Sequence, residues 1–123
     1  MRYVSGTRLF SQVFGEKAEV RIQLPLSRFS EVDGFVPDVF LVVEISDSSL
    51  RYDRDVKLPV YAAADVPEVW IEDLPNQILH VYREPFRRQY KVALRFHVGD
   101  SVSPDAFPEV VFSVSDLLRL TSN

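Results

Sequence analysis

A mixed α/β (α+β) sheet domain is what this sequence predicts, and three observations predict it. A nearly continuous apolar run over 38–46, interrupted by one glutamate, reads as a central strand covered on both faces. Three segments with strand composition follow over 68–73, 77–83 and 88–96. Helical apolar spacing recurs before, between and after the strands. The resulting order of helix, strand, strand, helix, three strands, helix is that of a mixed sheet flanked by helices.

Taken in order, TRLFSQVF over 7–14 places Leu9, Phe10, Val13 and Phe14 at helical spacing, with Thr7 as N-cap and Gly15 just past the end. This short amphipathic stretch reads as the last part of a longer helix. In AEVRIQLPL over 18–26, Val20, Ile22 and Leu24 alternate with Glu19, Arg21 and Gln23, the pattern of a strand with one wet face. The turn formers of SRFSEVDGFVP then make a loop. In the central strand Val39, Leu41, Val43 and Ile45 share one face, and Phe40 and Val42 the other.

A helix is expected over roughly 54–64, with Asp53 as N-cap and Val56, Val60 and Ala63 or Ala64 as its inward stripe. Pro59 falls near the first turn, where it can bend the helix without ending it. Pro75-Asn76 and Glu84-Pro85 are expected to mark the turns between the last three strands. A short C-terminal helix closes the order, with Ser113 or Ser115 as cap and Leu117 and Leu118 inward.

The 123 residues suffice for one domain and one core. A hydrophobic fraction of 46% with 26% charged residues is ordinary for a soluble globular protein. No apolar run approaches the ~20 residues that span a bilayer, so no membrane partner is expected. The chain has no cysteine, which excludes disulfides and thiolate metal sites and fits a cytoplasmic protein. A net charge of −4 argues against broad non-specific attachment to DNA, though a local basic patch can sit on an acidic body.

One segment, DVFLVVEISDSSLRYDRDVKLPVY, hints at chemistry. It places Glu44 inside an apolar strand and Lys57 near the start of the next helix. A carboxylate in such a strand is costly unless a cation, a metal or hydrogen bonds compensate it. Two compensations are available. In one, Glu44 binds Mg²⁺ in a phosphodiester-cleaving site where a lysine steadies the charge growing on phosphate. In the other, Lys57 pairs with Glu44, or with Asp53 four residues earlier on the helix. The metal site requires at least one further acid.

The longer stretch VPDVFLVVEISDSSLRYDRDVKLPVYAAADVPEVWIEDLPNQILHVYREP resembles the core of the Uma-two type endonucleases, a bacterial group within the PD-(D/E)XK nuclease superfamily. VVE, then D-S-S, Y-D-R, K-L-P-x-Y and V-P-E-V-W occur in that order, and the likeness runs from about Val20 to Leu118. The resemblance implies a restriction-endonuclease-like fold, hydrolysis of DNA, and Mg²⁺ or Mn²⁺ as cofactor. It implies Glu44 as a metal ligand and Lys57 as the catalytic lysine displaced onto the helix. Ser46 stands where other members of the superfamily keep that lysine.

Family members carry their first metal-binding aspartate in a Pro-Asp pair on an earlier strand. Here Pro37-Asp38 opens the Glu44 strand itself. At ~3.3 Å per residue Asp38 and Glu44 would lie ~20 Å apart, too far to share an ion. Asp38 is therefore a metal candidate in motif but not in geometry. Asp33 and Glu31, in the preceding loop, could fold back beside Glu44. The expectation is a shortened single domain over 1–123, lacking part of the N-terminal region and the strand with the first aspartate. Its metal site would be incomplete, and the alternative function is a catalytically inactive nuclease-fold binding or regulatory domain. Edges exposed by the shortening make a homodimer plausible.

Arg87, Lys91 and Arg95 share one face of the last strand and are the candidate DNA-contacting residues. The competing reading is a solvated edge whose charges block strand-to-strand association. His80 and His97 lack the spacing of a histidine metal site, and Trp70 reads as core. No physical role is apparent for Asp73 beyond starting a turn.

Overall fold

The computed structural model describes residues 18–21, as backbone, together with 40–48 and 50–118. The expected helix over 7–14 and the residues Glu31, Asp33 and Asp38 lie outside the described residues. Five strands form one mixed sheet: β1 (Ala18–Arg21), β2 (Leu41–Ser46), β3 (Glu68–Asp73), β4 (Ile78–Phe86) and β5 (Gln89–His97), in the spatial order β1-β2-β3-β4-β5. β1 runs parallel to β2, with Arg21 opposite Glu44, and β2 runs parallel to β3. β3–β4 and β4–β5 are antiparallel. β1 and β2 are thus direct neighbours in the sheet.

All six residues of β2 are buried. The absence of alternation follows from cover on both faces. Leu41, Val43 and Ile45 join Trp70, Leu79, Val81, Leu117 and Leu118 in the larger core cluster on one side. Val42, Val69 and Ile71 meet Tyr61 and Val66 on the other. Alternation along β2 places Glu44 and Ser46 on the same side as Val42, which is the side the connecting helix covers.

That helix departs from expectation in start, shape and inward face. It begins at Leu50 and runs without a break through α1 (Leu50–Tyr52), a π-helical turn (Asp53–Lys57) and α2 (Leu58–Ala63). The Leu58 amide donates to the Asp53 carbonyl, five residues back, as in a π turn. Pro59 supplies a physical reason. It lacks an N–H, and its ring crowds the carbonyl four residues earlier, that of Asp55. Widening the turn just before Pro59 relieves that crowding while the helix continues.

Asp53 is therefore not the N-cap. It lies inside the helix, buried against the sheet. Of the expected inward stripe, Val60 and Ala64 pack against the core, but Val56 is 43% exposed. The residues that face β2 are Asp53, Lys57 and Tyr61, spaced four apart, because the wider turn lets residues at that spacing line up.

The Pro75-Asn76 turn forms as expected, but Glu84-Pro85 is not a turn. β4 continues to Phe86, and Phe86 pairs with Gln89 across Arg87-Arg88. Pro85 is tolerated because the β3–β4 ladder ends at Glu68 opposite Arg83, so no bond toward β3 is lost. The tail adds a small second sheet of β6 (Ser101–Val102) and β7 (Phe112–Ser113), then α3 (Val114–Leu117). Leu117 and Leu118 are buried there, as the sequence predicts.

Candidate functional site

The site forms where the helix crosses β2 and the ends of β3 and β4. Glu44 is 0% exposed and Lys57 2%. The Lys57 ammonium lies 3.4 Å from Glu44 Oε1 and 3.3 Å from Asp53 Oδ1. Both pairings open to the sequence therefore form at once, and one cation is shared by two carboxylates. The Tyr61 hydroxyl donates to Glu44 Oε2, and the Ser46 hydroxyl donates to Asp53 Oδ2. The exposed ring of Tyr52 lies over the ammonium, with its centroid 5.8 Å from Nζ.

The chain builds this cluster by two periodicities. Glu44 and Ser46 are two apart on a strand and so share a face. Asp53, Lys57 and Tyr61 come from one stripe of the helix. Two residues on the strand thus meet three on the helix. Buried ions and hydroxyls are satisfied by one another, which is what their desolvation demands.

A second polar group adjoins the first at the end of β3. Asp73, opposite Ser46 in the parallel ladder, accepts from Asn76 Nδ2 at 3.0 Å, and its Oδ2 lies 3.4 Å from His80 Nε2. Burial holds the His80 pKa below its ordinary value, and Asp73 partly opposes that shift. A cavity of about 320 Å³ opens here, lined in part by Ser46, Asp47, Arg51, Arg54 and Asp73.

Of the residues singled out in the sequence, Glu44, Asp53 and Lys57 come together. Arg87 and Lys91 do not join them. Both sit at the hairpin tip, each 5.0 Å from the centroid of the exposed Phe86 ring. Arg95 is exposed and lies opposite His80 in the β4–β5 register. Ser46, Tyr61, Asp73 and His80 carry the rest of the cluster. Ser46 and Tyr61 lie within the motif residues, which was the available signal. The Asp73–His80 meeting had none, since it depends on strand register.

For a divalent ion the donor chemistry fits. Carboxylate and hydroxyl oxygens are the hard ligands that Mg²⁺ takes, and one or two protein carboxylates with water and substrate phosphate complete many such sites. Among the described residues, however, no group of three or more His, Cys, Asp or Glu could hold a metal.

The mixed sheet thus carries a buried strand glutamate facing a helix-borne lysine. Residues 18–115 match the model of the Uma2 family, described as "Putative restriction endonuclease", and the chain belongs to that family. No curated protein and no solved structure matches it. Family membership points to a nuclease with DNA as substrate. No helix among the described residues is long and apolar enough to cross a membrane.

Proposed function

We propose that this protein is a metal-dependent DNA endonuclease that hydrolyses phosphodiester bonds in the cytoplasm. One observation carries the reading: Glu44 and Asp53 share the Lys57 ammonium, so a second carboxylate stands at the site that the family's strand glutamate marks. Glu44 and Asp53 would hold Mg²⁺ or Mn²⁺. When bound, such an ion supplies a Lewis acid and a more acidic water. Lys57 offsets charge that develops on the phosphate. Tyr61 and Ser46 orient the two carboxylates by donating to the oxygens that Lys57 does not contact. Asp33 and Asp38 are further candidate ligands. Arg87, Lys91 and Arg95 are candidate contacts to the DNA backbone. β5 is the last strand of the sheet among the described residues, and this edge would give a homodimer a surface on which to form.

A second reading rests on the same cluster. Lys57 already neutralises carboxylates that are closed to solvent, as in an inactive nuclease fold kept for binding or regulation. A plasmid-nicking assay with and without Mg²⁺ separates the two. The nuclease reading expects nicking that needs the ion and is abolished by Glu44→Ala. Absence of nicking at any concentration of Mg²⁺ or Mn²⁺ would leave the inactive domain.

A further inference from the structure

We infer that the groove between the connecting helix and the β4–β5 hairpin binds a single strand of nucleic acid, with Arg54 and Arg88 on its phosphates and the Tyr82 ring against a base. The inference rests on the nuclease reading and adds to it contacts other than Arg87, Lys91 and Arg95, one of them from Arg88 on the same hairpin turn.

The groove is a cavity of about 280 Å³ lined in part by Arg54, Arg88, Tyr82, Tyr90 and Ala93. It presents two guanidinium groups and no carboxylate. The cavity beside Ser46 and Asp73 differs in being lined by two carboxylates, Asp47 and Asp73, as well as by Arg51 and Arg54. Charge therefore favours the first for phosphate. Arg54 lines both, so a strand lying on it runs from the aromatic groove toward the cavity beside Ser46 and Asp73. Asp55 pairs with Arg54 through Nε at 3.1 Å, but both side chains are about half exposed, so the pair is weak and yields to a phosphate.

The aromatic part favours a base. Tyr82 and Tyr90 have ring centroids 6.3 Å apart, and the Tyr90 hydroxyl is committed to the Val66 carbonyl at 2.6 Å, which anchors that ring. Burial pushes the Tyr82 hydroxyl pKa up, Arg54 and Arg95 pull against that shift, and Asp55 adds slightly to it, so two guanidinium groups and one carboxylate act on the ring. Aromatic faces beside cations are how proteins hold unpaired strands, because every base offers a π face. The groove falls just below the ~300–1,000 Å³ range of ligand pockets, room for about one planar ring. A duplex keeps its base faces stacked inside and cannot use it.

The test is fluorescence anisotropy of a labelled oligothymidylate on the full chain in EDTA, where cleavage is absent, with a duplex of equal length and polyglutamate as competitors. The single strand should bind tightest. Arg54→Gln and Arg88→Gln should each weaken binding several-fold and reduce the salt slope by about 0.7. Tyr82→Leu should weaken it about tenfold with the slope unchanged, while Tyr82→Phe binds as before. Wild-type affinity in Arg88→Gln, whose site on an exposed turn leaves folding intact, overturns the proposal. Equal binding of duplex or polyglutamate does so as well. If plasmid is nicked but the groove variants bind normally, the groove inference alone fails. If the groove variants bind weakly but no nicking occurs, the nuclease reading alone fails.

Discussion

Lys57 sets its ammonium 3.4 Å from Glu44 Oε1, joining a π-helical turn to the central strand across thirteen positions of sequence. The same nitrogen lies 3.3 Å from Asp53 Oδ1. Three ions are thus withdrawn from water together, and each depends on the others for compensation. Any change to one of them alters both the stability of the sheet–helix packing and the charge available at the site.

Removing the cation should be the costlier change. Lys57→Met leaves two buried carboxylates facing each other and should lower stability by about 3–5 kcal/mol. Glu44→Gln in the same chain should restore part of that loss, with a coupling of about 0.5–3 kcal/mol. Urea denaturation of the two single variants and the double variant measures the cycle. Additive losses would mean that the two side chains do not interact.

Divalent ions should raise the melting temperature if the two carboxylates bind them. Binding to the folded chain alone stabilises by about 2.7 kcal/mol at a hundredfold excess over Kd. Thermal melts with Mg²⁺ and Mn²⁺ should show a concentration-dependent rise that Glu44→Gln and Asp53→Asn each reduce. A melt insensitive to both ions would favour the inactive domain.

Away from the site, Glu68 ties the main sheet to the segment that connects β6 and β7. Its carboxylate accepts from Trp70 Nε1 at 2.7 Å, Arg83 Nε at 2.8 Å and the Asp105 amide at 2.7 Å. Glu68→Leu strands those donors and should cost roughly 3 kcal/mol. The chain has one tryptophan, so a change in Trp70 fluorescence would report the lost bond directly.

The His80 pKa is lowered from 6.5 in the fold, chiefly by burial. Below 6.5 the unfolded chain takes up a proton that the folded chain resists. The stability that neutral His80 contributes is therefore full above pH 6.5 and falls as the pH drops toward the lowered value. Denaturation midpoints measured down through this window should decline, and His80→Gln should remove that component. An identical decline in the variant would assign the effect to carboxylates.

Much of the architecture was legible along the chain. Unbroken apolar character marked β2 as central, and alternation with turn residues marked β3 to β5. The order VVE, Y-D-R and K-L-P-x-Y brought Glu44 and Lys57 forward as a pair. The readings that failed share a cause. Treating Asp53 as a cap and Val56 as inward assumed a regular helix with an apolar inner face. Pro59 widens the turn, and at that turn Asp53 and Lys57 face the strand carboxylate while Val60, Tyr61 and Ala64 keep the rest of the inner face apolar. Glu84-Pro85 looked like a turn because proline breaks ladders, yet β3 ends before proline's missing donor matters.

What local pattern specifies is which segments are strands or helices and which carry an anomalous charge, since period and composition act over a few neighbouring residues. The pairing of distant segments set the rest. Parallel alignment of β2 with β3 put Asp73 opposite Ser46, and the β3–β4 register put His80 within reach of Asp73. The sharing of one ammonium by Glu44 and Asp53 likewise required the helix to cross β2 at one rotation. Such contacts depend on register and on packing between a strand and its neighbouring elements, which local period and composition do not encode even where both partners lie within a short stretch of sequence.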